Sequence, residues 1–195
     1  MKKQNKVIIY QVMPRLFGNQ NKTCKVRGTL KENGVGKFAD FTSKVLREIR
    51  LLGCNHIWYT GVIEHATQTD YSKYGIEKDN VYVVKGAAGS PYAIKDYYDI
   101  APDLAVNVPD RMREFEDLVS RTHDAGLKVI IDFVPNHVAR RYHSDAKPDG
   151  VSDLGENDDT QVHFKPNNNF YYIPRQELSA QFYLGEGQNA YVEYP

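Results

Sequence analysis

The feature that most constrains this chain is a repeated unit: an amphipathic helix, a glycine, then a short apolar strand. It occurs first between Phe38 and Tyr59, where Phe38, Phe41, Val45, Leu46, Ile49 and Leu52 form one apolar stripe that stops at Gly53 before Asn55-His56-Ile57-Trp58-Tyr59. It recurs between Met112 and Phe133. There Met112, Phe115, Leu118, Val119 and Ala125 mark the apolar side of a helix expected to be capped by Asp110, and Gly126 precedes Leu127-Lys128-Val129-Ile130-Ile131-Asp132-Phe133. An earlier run, Val7 to Val12, reads as a strand buried on both faces and halted by Pro14. Strands separated by helices require right-handed crossovers and a parallel sheet. The expected fold is α/β: the first three βα units of a (β/α)8 barrel. A doubly wound sheet is the alternative, weakened because no glycine-rich phosphate loop follows the first strand.

Between these units, residues 61–107 carry Gly61, Gly75, Gly86, Gly89, Pro91 and Pro102, and are expected to be irregular. So long a connector is usually a functional loop. From Arg140 onward helical periodicity disappears. Asp145, Asp149, Asp153, Glu156, Asp158 and Asp159 cluster there, followed by Phe164, Phe170, Tyr171 and Tyr172. Residues 1–139 are therefore expected to be the N-terminal part of a barrel, and residues 140–195 an inserted loop domain.

Charge excludes several functions. The 195 residues hold 25 basic and 25 acidic side chains, so no net charge draws the chain to nucleic acid or an anionic membrane. No apolar run approaches the roughly 18 residues that suggest a membrane span. Met1-Lys2-Lys3 resembles a signal n-region, but the apolar stretch after it is short and ends at Met13-Pro14, so a cytoplasmic location is expected for the chain as given, and a secreted or periplasmic one if a leader was removed. Two cysteines, Cys24 and Cys54, make no disulfide framework and are read as free thiols, Cys54 behind a helix.

The segment with most chemistry is Asp132-Phe133-Val134-Pro135-Asn136-His137. The side chains of Val129, Ile131 and Phe133 alternate with those of Ile130 and Asp132, which places Asp132 on the inner face at a strand's C-terminal end, where barrel enzymes carry their working groups. Pro135 keeps Val134 extended and carries Asn136 and His137 past that end. A carboxylate, an amide and an imidazole together can hydrogen-bond sugar hydroxyls, orient an arginine or hold a hard cation. In a second segment, Gly89 to Pro102, Tyr92 sits in a loop stiffened by glycine and proline, and its flat ring suits stacking on a pyranose. A metal-dependent hydrolase using Asp132, His137 and His143 or His163 is the weakest reading, since the histidines form no closed ligand spacing.

Taken in order, Ile8 to Phe17, Leu51 to Trp58, the Gly-Pro-Tyr loop through Asp96-Tyr97 to Pro102, and Asp132-x-x-x-Asn136-His137 resemble the α-amylase family of retaining glycoside hydrolases. The resemblance covers roughly residues 7–139. It implies that Tyr92 forms a platform under the substrate sugar, that His137 bonds its 6-hydroxyl, and that Asp132 orients an arginine from a fourth strand. In members that bind calcium, Asn136 would be a ligand of Ca2+. The implied substrate is an α-glucan or maltooligosaccharide cleaved at α-1,4 bonds. The implied nucleophile and general acid/base follow later strands, and none is assignable here. The chain is therefore expected to be the N-terminal portion of a longer enzyme and inactive alone. A non-catalytic carbohydrate-binding or interaction module derived from the same barrel is the alternative.

Overall fold

A computed structural model describes residues 6–180 and 191–193. Its centre is a parallel three-stranded sheet of β1 (Ile9–Val12), β2 (His56–Tyr59) and β5 (Lys128–Ile131), in the order β1-β2-β5. Tyr10, Ile57 and Val129 stand in one register row, and Val12, Tyr59 and Ile131 in another. The crossover from β1 to β2 contains a one-turn helix α1 (Leu30–Asn33) and then α2 (Ser43–Leu51). The crossover from β2 to β5 contains a hairpin of β3 (Ile63–His65) and β4 (Ile94–Ile100), then α3 (Arg111–Asp124). A last antiparallel pair joins β6 (Leu178–Ala180) to β7 (Tyr191–Glu193). Among the described residues the parallel sheet is open, with three strands and two helical crossovers rather than three complete βα units.

The helices cover one face of the sheet. Phe38, Phe41, Leu46, Ile57, Tyr59 and Leu118 are fully enclosed between them and the strands. Phe17 stacks on Phe41 with centroids 4.4 Å apart, and Phe41 meets Tyr59 edge-on at 5.0 Å, both favourable ring geometries. The Tyr59 hydroxyl pairs with Thr122 Oγ1 at 2.7 Å, and the Thr122 hydroxyl donates to the Leu118 carbonyl, so both buried hydroxyls are paired. Cys54 is buried and Cys24 exposed, both as free thiols.

Four sequence expectations need correction. The 61–107 segment contains the β3–β4 hairpin, whose strand character is masked because Lys95, Asp96 and Asp99 interrupt the apolar pattern of β4 and are nevertheless buried. The first strand is covered on one face only: Ile9 is 46% exposed, because nothing among the described residues packs on the sheet's other side. The first amphipathic helix begins later than its stripe. Phe38–Asp40 is a 3-10 turn, Thr42 caps α2 by accepting from the Val45 amide at 3.3 Å, and Leu52 is exposed at the helix end. Asp110 precedes α3 without capping it, since its carboxylate is taken up by the Asn107 amide group and Arg113, and Met112 is exposed.

Candidate functional site

Asp132 lies one residue beyond β5, on the same face as Trp58 in the neighbouring strand. Its two carboxylate oxygens accept from the Trp58 indole N–H and, at 3.0 Å, from the Gly61 amide. Two donors from the end of β2 thus hold the carboxylate at the C-terminal rim of the sheet. Gly61 has a φ of +74°, and a Cβ there would stand 2.6 Å from Pro91 Cβ. The close approach draws Pro91, and with it the neighbouring Tyr92, to the side of the rim that holds Asp132. Gly89 (φ +77°) closes the same loop, with room for no side chain against the Ala66 carbonyl. Tyr92 is 43% exposed, its ring available to solvent.

The chain leaving β5 is fastened to β4. The Tyr97 hydroxyl donates to the Val134 carbonyl and, at 3.3 Å, to the His137 carbonyl, and the Tyr97 ring lies 5.5 Å from Phe133 and 5.7 Å from Tyr142. Further along, Ala139 N–H donates to Ile94 and His143 N–H to Lys95, so residues 139–143 run beside the strand. Held this way, Asn136 and His137 are exposed and joined to each other, the imidazole Nδ1 bonding the Asn136 side-chain oxygen.

Both residues stand at the edge of an open cleft of about 930 Å³. One wall is Asn136 to Tyr142, the other Phe170 to Ile173 with Leu154 and Gly155. The second wall is fixed by Asp158, which accepts from the Asn169 amide (2.8 Å), the Phe170 amide (2.9 Å) and the Tyr172 hydroxyl (3.0 Å). Those bonds hold the Asp158 carboxyl below its ordinary range although burial opposes them. A cleft lined by aromatic rings with exposed amide and imidazole groups on its lip can stack a sugar ring and hydrogen-bond its hydroxyls.

The structure therefore fixes Asp132 at the rim through Trp58 and Gly61, with Pro91 of the Tyr92 loop against that same Gly61, and sets Asn136 and His137 on the lip of a cleft that neither Asp132 nor Tyr92 lines. It does not bring the scattered histidines together. His143 bonds Asp153 at 2.8 Å and His163 bonds the Tyr172 carbonyl at 2.7 Å. Among the described residues, the acidic groups that converge within ligand distance of one another are Glu64, Asp99 and Asp145. Trp58, Gly61 and Tyr97, which position the rim, were not singled out from the sequence. Trp58 could have been, since it precedes the glycine turn by the spacing that points its ring to the same face as Asp132.

A separate polar cluster is buried beneath the hairpin. Glu64 and Asp96 are register partners on β3 and β4, and Asp99 and Arg111 are enclosed with them. Arg111 bonds Asp99 and, at 3.1 Å, Asp145. Burial first, then the nearby Asp145, Asp99 and Asp96 carboxylates, push Glu64 up to about 8, and burial also raises Asp96 and Asp99.

The profile of the alpha-amylase catalytic domain matches residues 11–178. The chain belongs to the alpha-amylase family. Relatives include an amino acid transporter heavy chain, SLC3A1 of Rattus norvegicus, 43% identical over 134 residues, which are 69% of this chain and 14% of that protein. An alpha-glucosidase of Pediococcus pentosaceus is 28% identical over 132 residues, 68% of this chain and 17% of that protein. Among solved structures, an alpha-amylase from Lactobacillus plantarum is similar with a TM-score of 0.48 and 29% identity, covering 70% of this chain and 24% of that one. The chain spans less than a quarter of the length of each of these relatives. Among its described residues, no helix is long and apolar enough to cross a membrane.

Proposed function

We propose that this chain supplies the sugar-holding part of an α-glucan-active glycoside hydrolase that cleaves α-1,4-glucosidic bonds with retention. What supports the reading is the Asp132 carboxylate held at the sheet's C-terminal rim by Trp58 and Gly61, in a member of the alpha-amylase family that exposes the Asn136–His137 pair a few residues further along. Barrel enzymes carry their active groups at that rim. In this reading the Tyr92 ring stacks under the sugar, His137 hydrogen-bonds its 6-hydroxyl, and Asp132, fixed by Trp58 and Gly61, presents its remaining lone pairs to an arginine beyond the described strands. Retaining hydrolysis needs two carboxyl groups roughly 5 Å apart across the scissile bond, one as nucleophile and one as acid/base. Neither role falls to Asp132, so the chain alone binds sugar without turning it over.

The experiment is titration of the chain with maltotriose and maltoheptaose, by heat or by Trp58 fluorescence, together with a reducing-sugar assay. Binding that is lost in Tyr92→Ala and His137→Ala, with no turnover, supports the proposal. Turnover by the chain alone, or binding indifferent to both substitutions, defeats it. A second reading, a non-catalytic module on the same partial barrel, is favoured by one finding: a matched relative is a transporter heavy chain. Appending the strands that follow in an alpha-glucosidase separates the two, because only the first reading then gains hydrolysis.

A further inference from the structure

We propose that Glu64, Asp99 and Asp145 form a binding site for a hard divalent cation, calcium by preference, where the β3–β4 hairpin meets the chain that follows β5. One carboxylate oxygen from each residue lies within 4.8 Å of the others. Oxygens bound to one calcium at its usual 2.3–2.6 Å can stand no more than about 5 Å apart, so the three meet the distance requirement of a shared ion. The second observation is independent of that spacing. Glu64 is 1% exposed, and neither of its carboxylate oxygens has a hydrogen-bond partner. Buried acceptors without partners are rare, and each calls for a donor or a cation.

Charge and coordination chemistry select the class of ion. Glu64 faces Asp96 directly across the hairpin, a like-charge pair that a sheet does not tolerate without compensation. Within the triad, three carboxylates share one guanidinium, Arg111, which bonds Asp99 and Asp145 but not Glu64. When all are ionised, two positive charges are lacking, which one divalent cation supplies. The ligands are all oxygen, which excludes soft metals, and Asp99 and Asp145 also bond Arg111, a constraint that calcium's flexible coordination tolerates better than the octahedral demand of magnesium. Asp145 is the open side of the site, with its side chain 25% exposed, and leaves room for an ion and its waters to enter.

The ion would join three parts of the chain: Glu64 on β3, Asp99 on β4 and Asp145 just beyond the cleft wall of Asn136 to Tyr142. It would thereby hold that wall to the hairpin. This site is distinct from Asn136 and does not depend on what the cleft binds. The test is calorimetric titration of the chelator-treated chain with calcium chloride, followed by thermal melting with and without calcium. The expected result is one calcium per chain and a raised Tm. Asp145→Asn, at the partly exposed ligand, should weaken affinity at least tenfold, Glu64→Gln should do the same, and Asn136→Ala should change it less than twofold. Absence of binding at millimolar calcium overturns the proposal, as does binding that survives Asp145→Asn or that is lost in Asn136→Ala. Asp145→Asn decides the matter should Glu64→Gln fail to fold.

Discussion

The two faces of the parallel sheet are built from similar residues and meet different ends. On the helix-covered face, Ile57 and Tyr59 are wholly enclosed and join the aromatic group of Phe17, Phe38 and Phe41. On the opposite face, Ile9 is about half exposed, and Trp58 and Ile130 are half-buried. Stability comes from the first face. The second ends in Asp132, Asn136 and His137, groups that a packed core would not accommodate and that an open rim can present to a ligand.

The sharpest test of this difference is a pair of truncations. Phe41→Ala removes a fully enclosed ring with two aromatic neighbours and should cost about 3–5 kcal/mol in urea denaturation. Ile9→Ala, on the open face, should cost under about 1 kcal/mol. Equal losses would mean that the open face is covered in solution and that the contrast drawn here is wrong.

How much of this was legible in the sequence follows the same division. The helix-covered face announces itself by periodicity, so α2, α3, β2 and β5 are readable from Phe41, Leu46, Ile57, Leu118 and Val129. The alternation of Ile130 and Asp132 sets the carboxylate on the face away from the helices, where it meets Trp58. Hidden from pattern reading were interactions between distant segments. Nothing local shows that Asp96 and Asp99 lie inside a hairpin rather than on a loop, because their burial depends on Arg111 and on residues 144–146 arriving from far along the chain. Asp145 reads as one of several solvated acids for the same reason.

A smaller effect is expected from the polar relay inside the packed layer. Thr122→Val keeps the shape but deprives the enclosed Tyr59 hydroxyl of its partner. An unsatisfied buried group costs about 1–3 kcal/mol, and Tyr59→Phe in the same background should recover much of it, since both partners are then apolar. No recovery would show that the loss arises from repacking of α3 against the sheet.

At the rim, Asp132→Asn leaves one acceptor for two donors, Trp58 and Gly61. The expected stability loss is about 1 kcal/mol, less than for any fully enclosed group. Trp58 is the chain's one tryptophan, so its emission should change in this variant and stay constant in Ile9→Ala. Unchanged emission would mean that the indole does not bond the carboxylate in solution.

A similarly modest change in stability should accompany a large local one at Tyr97. Tyr97→Phe keeps the ring contacts with Phe133 and Tyr142 and removes the hydroxyl that bonds the Val134 and His137 carbonyls. Those carbonyls lie in an exposed segment where water can replace the lost donor, so global stability should fall by only about 0.5–1.5 kcal/mol. Amide exchange, however, should speed up selectively between residues 133 and 138, while amides of β2 and α3 keep their protection. Since His137 and Asn136 ride on this segment, sugar affinity should fall with it. A uniform rise in exchange would place Tyr97 in the stability core instead. Unchanged exchange at 133–138 would mean that the lip is held by its own Pro135 and the Asn136–His137 pair, with β4 merely alongside.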